Sequence, residues 1–328
     1  MRSVLALAIL FCIAPALTGC AGGQPQTPVS DTRILLDTFC TITIYGTHDR
    51  QLLDEAFDLC EKYEALLSKS AEGSDIWRIN RAGGSAVTVA EETIEVIKAG
   101  MEYGGLSAGM FDITVGRLTA LWDFSGDPRV PPGVELAEAL GTVGYENVIV
   151  NGDTVRLTDP DTWLDLGAIA KGYIADRVAD FLKDHGVTGA VVDLGGDVAV
   201  VGEKPDGSMW GIGVRKPFGD QSDLLGIIKT SEASIVTSGV YERRFELDGT
   251  IYHHILDPKT GMPVISDVVG ATIIAENSAT GDALSTIAVL VGSKNAAVLL
   301  EHAPGFIGAL ILLDNKELVL LGDIEFQN

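Results

Sequence analysis

The stretch "WLDLGAIAKGYIADRVADFLKDHG", residues 163–186, restricts the fold more than any other segment of the chain. Its second half has helical periodicity: Ile174, Val178, Phe181 and Leu182 recur on one face, and Gly186 stands where a helix would end. Its first half sets Asp165 in an apolar run, followed by Gly167, Ala168, Lys171 and Gly172. The spacing predicts a strand that ends at Asp165 and hands over to a helix. Small residues at the junction allow close backbone approach, and Lys171 brings positive charge to the first turn. That charge matters, because the chain carries 46 Asp+Glu against 23 Lys+Arg, a net charge of −23. Such a balance disfavours nucleic acid as a partner, since a phosphate backbone needs a basic face. An acidic protein that binds an anionic small molecule needs a metal ion, a helix N-terminus or a positioned cation at the site.

The first residues have the pattern of a targeting segment. Met1-Arg2 is a short positive region, and "VLALAILFCIAPAL" is an apolar run too short to span a membrane comfortably. It ends in "LTGC", Leu17 to Cys20, which resembles a bacterial lipobox. This predicts a lipoprotein signal peptide over 1–19, with Cys20 lipidated and the protein anchored outside the cytoplasm. "AGGQPQTPVSD" follows and is expected to be a flexible tether over 20–31. The folded domain is then expected over 32–328, beginning near Thr32. Cys12 would leave with the signal. Cys40 and Cys60 read as buried thiols, and spacing alone does not pair them.

Along the chain, strands and helices alternate irregularly and several hairpins are visible. A strand is expected from about Cys40 to Tyr45, and an amphipathic helix over 49–68. A helical turn is expected from Ser74, and a helix ended by Gly104 and Gly105. Asn151-Gly152 and Asp248-Gly249 mark hairpin turns, and Gly195-Gly196 hinges two short strands. A helix should follow Ser278 as N-cap and stop at Gly292. The fold class is therefore α/β of the α+β mixed kind, with mixed and antiparallel sheets and flanking helices. Neither G-x-G-x-x-G nor a P-loop is present, which disfavours a dinucleotide fold of the doubly wound type.

Chemistry-bearing residues fall in a few places. On the 278–292 helix Asp282 and Thr286 are one turn apart, with Ser285 close to the same face. Oxygen ligands of this kind suit a hard cation such as Mg²⁺. The same stretch is equally compatible with a solvated polar face on which Asp282 favours the helix dipole. In "HHILDPKTG" a strand histidine could serve as a general base, although strand histidines are more often structural. Asp112 in "SAGMFDITVG" and Ser238-Gly239 in "TSGVYERRFE" are further, weaker candidates.

Six blocks taken in order resemble one family, the FAD:protein FMN transferases of the ApbE type. They are "SDIWRIN", "SAGMFDITVGRLTALWDF", "DLGAIAKGYIADRVADFL", "DLGGDV", "TSGVYERRFELDGTIYHHILDPKTG" and "GDALSTIAVLVG". The resemblance implies an ApbE, T-fold-like architecture and a Mg²⁺-dependent reaction. FAD would be cleaved, FMN attached by a phosphoester to a Ser or Thr hydroxyl of an acceptor protein, and AMP released. It implies a metal held by Asp282, Thr286 and the Ala168 carbonyl, with Ser285 adjacent. It implies nucleotide contacts at Leu36, Ser70, the Met110-Phe111-Asp112 loop, Asp165, Lys171 and His254, with His254 as base. The acceptor would be an exported FMN-carrying protein, a subunit of a membrane redox complex. The chain departs from the family at Leu36 to Thr38, where Met-Gly-Thr is common, and at Ser70, where an aromatic is common.

Two other readings use the same residues. One is a Mg²⁺-dependent FAD pyrophosphatase with water as acceptor. The other is a flavin-binding lipoprotein without chemistry, which the presence of Asp282, Thr286 and His254 argues against.

Overall fold

The computed structural model describes residues 27–328 apart from 47–48, 123, 125–127 and 221–222. The signal segment, Cys12, the Leu17–Cys20 motif with its lipidation site, and the tether up to residue 26 lie outside the described residues.

Folded structure begins earlier than Thr32. The last residues assigned to the tether form part of β1 (Val29–Leu35), which pairs antiparallel with β2 (Thr38–Ile44). Val29 is buried, and the hydroxyls of Ser30 and Thr32 meet those of Thr43 and Thr41 across the pair. β1 was not visible in the sequence because its turn, Leu36-Asp37, has no Gly or Asn-Gly signal. Both residues nonetheless adopt the left-handed conformation, φ 55° and 57°.

α1 (Arg50–Leu67) is capped by the Asp49 carboxylate, and α2 (Asp75–Arg81) by the Ser74 hydroxyl, as expected for N-cap residues. After β3 (Val87–Thr88), α3 (Glu91–Leu106) runs through Gly104 and Gly105 instead of stopping there. Gly104 is a packing residue: a Cβ at that position would lie 2.9 Å from the Tyr145 ring. α4 (Gly116–Leu121) and α5 (Gly133–Leu140) follow, then the β4 (Val148–Asn151) and β5 (Thr154–Leu157) hairpin. No strand ends at Asp165; a single parallel bridge joins Val115 to Trp163. α6 (Ala170–Asp184) then begins as the sequence suggests.

β6 (Gly189–Leu194) and β7 (Asp197–Gly202) hinge at Gly195-Gly196, both with positive φ. β8 (Trp210–Arg215), β9 (Leu224–Thr230) and β10 (Ser234–Gly239) precede the short β11 (Arg244–Leu247) and β12 (Thr250–His253) hairpin. β13 (Val268–Ala275) leads into α7 (Ser278–Val291), whose N-cap is Asn277 and not Ser278. The Asn277 side chain accepts from Thr280 N at 2.8 Å, whereas the Ser278 hydroxyl is buried against Ser234. α8 (Ser293–Leu300), β14 (Phe306–Leu313), β15 (Leu318–Gly322) and β16 (Glu325–Gln327) complete the chain.

Eight strands form one sheet in the order β1-β2-β6-β7-β10-β13-β14-β15, and every ladder in it is antiparallel. The expected mixed pairing is thus confined to the isolated Val115–Trp163 bridge among the described residues. Helices α1, α6 and α7 cover one face. The small sheet β16-β9-β8 covers part of the other. Successive residues therefore serve opposite cores: Val236, Ile273 and Ile311 face the helices, Val236 against Gly281 of α7, while Ile235, Ile274 and Leu310 face Trp210 and Ile228. Burial on both faces explains why β13 and β14 are almost continuously apolar. Cys40 and Cys60 are free, fully buried thiols.

Candidate active site

α6 and α7 meet at their N-terminal ends and cap each other. The first amides of a helix have no partner within it. Gly172 N, in the first turn of α6, donates to Asp282 Oδ2 of α7 at 3.1 Å. Asp176 of α6 returns the favour, accepting from Ser278 N at 2.6 Å and Ala279 N at 2.9 Å in the first turn of α7. Burial pushes the Asp176 carboxyl up to about 6, against the pull of these two amides. The contact is close because residue 172 is glycine: a Cβ there would lie 2.3 Å from the Ser278 carbonyl oxygen. Backbone cannot yield as a flexible side chain does, so Gly172→Ala should force the helices apart. The expected result is a melting temperature lowered by several degrees together with impaired turnover, read by thermal melting and an activity assay. An unchanged melting temperature would contradict the packing.

This junction forms one wall of a cleft of about 650 Å³. The β1–β2 turn, the end of α1, the loop at 110–113, the 165–168 segment, the end of β10 and His254 form the rest. Leu36, Ser70, Met110, Phe111, Asp112, Asp165, Ala168, Lys171, His254, Asp282 and Thr286 all line it. Ser285 does not. It is fully buried behind the wall, its hydroxyl 2.7 Å from that of Ser238 and donating to the Asp282 carbonyl. Ser238 also reaches Thr286 at 3.2 Å.

Lys171 Nζ lies 2.8 Å from Asp197 Oδ2 and 3.5 Å from Asp282 Oδ2. Both carboxylates are buried. Burial and the neighbouring Asp282 charge push Asp197 well above the usual carboxylate range, with Lys171 opposing. Burial alone would lower Lys171, but the two carboxylates outweigh it and raise it. Two acid side chains thus share one ammonium at the wall of the cleft. Asp197 lies in "DLGGDV", where the sequence drew attention to the two glycines and not to the acid.

Asp165 is partnered by Lys69, which carries no signature of a site residue in the sequence. Lys69 Nζ lies 2.5 Å from Asp165 Oδ2 and 2.7 Å from the Thr119 hydroxyl, and that hydroxyl is 2.6 Å from the same Oδ2. Gly167 N donates to Asp165 Oδ1 at 2.9 Å. Burial works against ionisation of Asp165, but Lys69 and these hydrogen bonds overcome it and hold the carboxyl below its usual range. No local signal could have indicated Lys69, because its partner is 96 residues away.

Asp112 uses both oxygens structurally: Oδ1 accepts from Thr114 N and the Thr114 hydroxyl in its own loop, and Oδ2 accepts from Tyr145 N. Leu36 N donates to Glu64 Oε1 at 3.2 Å. Ser70 is exposed at the rim, its hydroxyl 3.1 Å from that of Ser68. His254 N is fixed by the Arg243 carbonyl at 3.1 Å, and its Nδ1 is buried without a hydrogen-bond partner. Burial first, then the positive charge of Arg243, pushes its imidazole down to about 4. At neutral pH it is therefore an unprotonated acceptor. Trp122 and Phe124 also line the cleft, stacked at 5.7 Å, with Trp122 Nε1 donating to the Gly261 carbonyl.

Among the described residues no cluster of three or more His, Cys, Asp or Glu side chains is arranged to hold a metal. The oxygen donors of the cleft are of another kind: the Asp282 carboxylate, the Thr286 hydroxyl and the Ala168 backbone. All three residues line the cleft, and oxygen donors of these kinds are those a hard cation takes.

A buried, uncharged imidazole opposite a charged helix junction, in a cleft of this size, is the arrangement of an enzyme site on a mixed α/β scaffold. The ApbE family profile matches residues 36–311, and the chain belongs to that family. It is 35% identical over 296 residues to the FAD:protein FMN transferase of Klebsiella pneumoniae, covering 89% of this chain and 91% of that protein. It is 31% identical over 331 residues to the FAD:protein FMN transferase of Treponema pallidum, covering 94% and 91%. The crystal structure of the Thermotoga maritima ApbE protein superposes with a TM-score of 0.81 at 35% identity, covering 92% of this chain and 97% of that one. The flavin transferase ApbE of Vibrio cholerae gives 0.80 at 28% identity, covering 93% and 98%. Among the described residues no helix is long and apolar enough to cross a membrane.

Proposed function

We propose that this chain is an FAD:protein FMN transferase that joins the FMN part of FAD to a Ser or Thr hydroxyl of an acceptor protein. The observation that carries the reading is the pairing, in one cleft, of a buried unpartnered imidazole with the buried Asp197–Lys171–Asp282 cluster at a helix junction. A hydroxyl is a poor nucleophile and needs a base within reach. His254, neutral and desolvated, takes the hydroxyl proton. The acceptor oxygen bonds to the FMN phosphorus, the bond from that phosphorus to the bridging oxygen breaks, and AMP leaves with that oxygen.

Asp282, Thr286 and the Ala168 carbonyl would hold Mg²⁺, with Ser285 fixed behind them. When bound, the ion would offset negative charge on the phosphate oxygens. Lys171 keeps the two carboxylates of the junction together and limits their repulsion. Asp165, held ionised by Lys69, offers hydrogen-bond acceptors to the nucleotide. Leu36, Ser70 and the Met110–Asp112 loop line the flavin side. The acceptor is an exported FMN-carrying protein of a membrane redox complex. Lipid anchorage at Cys20 would hold the enzyme on the same side of the membrane.

AMP release measured with FAD and Mg²⁺, with and without an acceptor protein, tests the reading. Transfer predicts release that depends on the acceptor. Equally fast release without it would identify a pyrophosphatase, and intact FAD in both would identify a flavin carrier.

A further inference from the structure

Three cationic side chains line the cleft, Lys69, Lys171 and Arg243. Two are already committed. Lys69 is engaged by Asp165 and Thr119, and Lys171 by Asp197 and Asp282. Arg243 is different. Among the described residues its guanidinium makes no ion pair and donates no hydrogen bond, although its neighbours are engaged: Glu242 pairs with Arg215, and Arg244 lies over the Phe218 ring. In a chain with a net charge of −23, an arginine without an acid partner at a cleft mouth is conspicuous.

Its backbone is also fixed beside the histidine. Arg243 sits between β10 and β11, and its carbonyl accepts from His254 N at 3.1 Å. The exposed side chain therefore starts from a main chain tied to that of His254. Arginine remains charged at all working pH values, and its planar fork matches the oxygens of a phosphate group.

We propose that Arg243 is the diphosphate-binding cation of this cleft, holding phosphate oxygens of the dinucleotide beside His254. This rests on the FAD-dependent function above and adds the residue that recognises the anionic centre of the substrate. It also accounts for the exposure of Arg243 at the rim: the side chain waits for a ligand that neutralises it. Its charge contributes to keeping His254 unprotonated as well.

The test compares FAD with riboflavin, which has the same ring system and no phosphate, by flavin-fluorescence titration of the protein and of Arg243→Gln and Arg243→Lys. A charge-assisted hydrogen-bond pair predicts that Arg243→Gln weakens FAD roughly 10- to 100-fold. Riboflavin affinity stays unchanged, and Arg243→Lys recovers part of the loss. Unchanged affinity for FAD would overturn the proposal. So would equal losses for FAD and riboflavin, because the residue would then act on the ring site or on the fold. The transfer reading fails separately: a wild-type protein that turns over no FAD, yet shows the selective loss in Arg243→Gln, would retain the Arg243 assignment and lose the reaction.

Discussion

Asp282→Asn is expected to lose FMN transfer by on the order of 10³-fold while the protein stays folded. The carboxylate has two roles. Its Oδ2 accepts from Gly172 N and lies 3.5 Å from Lys171, and it is the single acidic side chain in the proposed Mg²⁺ set. An asparagine keeps an acceptor for Gly172 N and removes only the charge. Alanine would also leave a buried amide unpaired at a cost of about 1–3 kcal/mol, mixing a fold effect with a site effect. Lys171 retains Asp197 at 2.8 Å in either variant, so no isolated buried cation is created. Circular dichroism and melting verify the fold, and transfer is read against added Mg²⁺. Full activity in Asp282→Asn would remove Asp282 from the site chemistry.

His254→Ala is the second large effect. General-base assistance is worth roughly 10²–10⁴-fold, so transfer should slow by that factor while FAD still binds. The pH profile sharpens the test. An imidazole accepts a proton only when neutral, and burial followed by the Arg243 charge holds His254 down to about 4. The acid limb of kcat/KM for the wild type is therefore expected near pH 4, with the base form dominant at every higher pH. An ordinary exposed histidine would give a limb near 6.5. The same burial makes protonation costly to the fold: the folded-state value lies below the unfolded one, so stability falls as pH drops from about 6.5 toward 4. Unchanged turnover in His254→Ala, or an acid limb near 6.5 in the wild type, would remove it as the base.

The residues that the sequence brought forward as a site were those with local signatures. Gly172 and Lys171 stood out because a helix start made of small residues around a lysine is unusual, and the packing against Ser278 explains it. Asp282 and Thr286 stood out through helical spacing. What was not legible depends on distance along the chain. Lys69 has no meaning until Asp165 lies beside it. Arg243 stands out only once every other cation in the cleft has found a carboxylate. The fold shows the same division. Hairpins with Asn-Gly or Asp-Gly turns were visible, whereas β1, β9, β10 and β16 were not. β1 turns through left-handed Leu36 and Asp37, and β10 is buried on both faces, so neither carries a turn glycine signal or an alternating pattern. Gly104 read as a helix stop because its packing partner, Tyr145, is 41 positions later.

Covalent transfer is tested directly by the intact mass of an acceptor protein. An exported FMN-carrying protein is incubated with this enzyme, FAD and Mg²⁺, then digested and mapped by mass spectrometry. The expected result is one added FMN on a Ser or Thr side chain, formed together with one AMP and absent with Asp282→Asn. An unmodified acceptor alongside free FMN and AMP would contradict it.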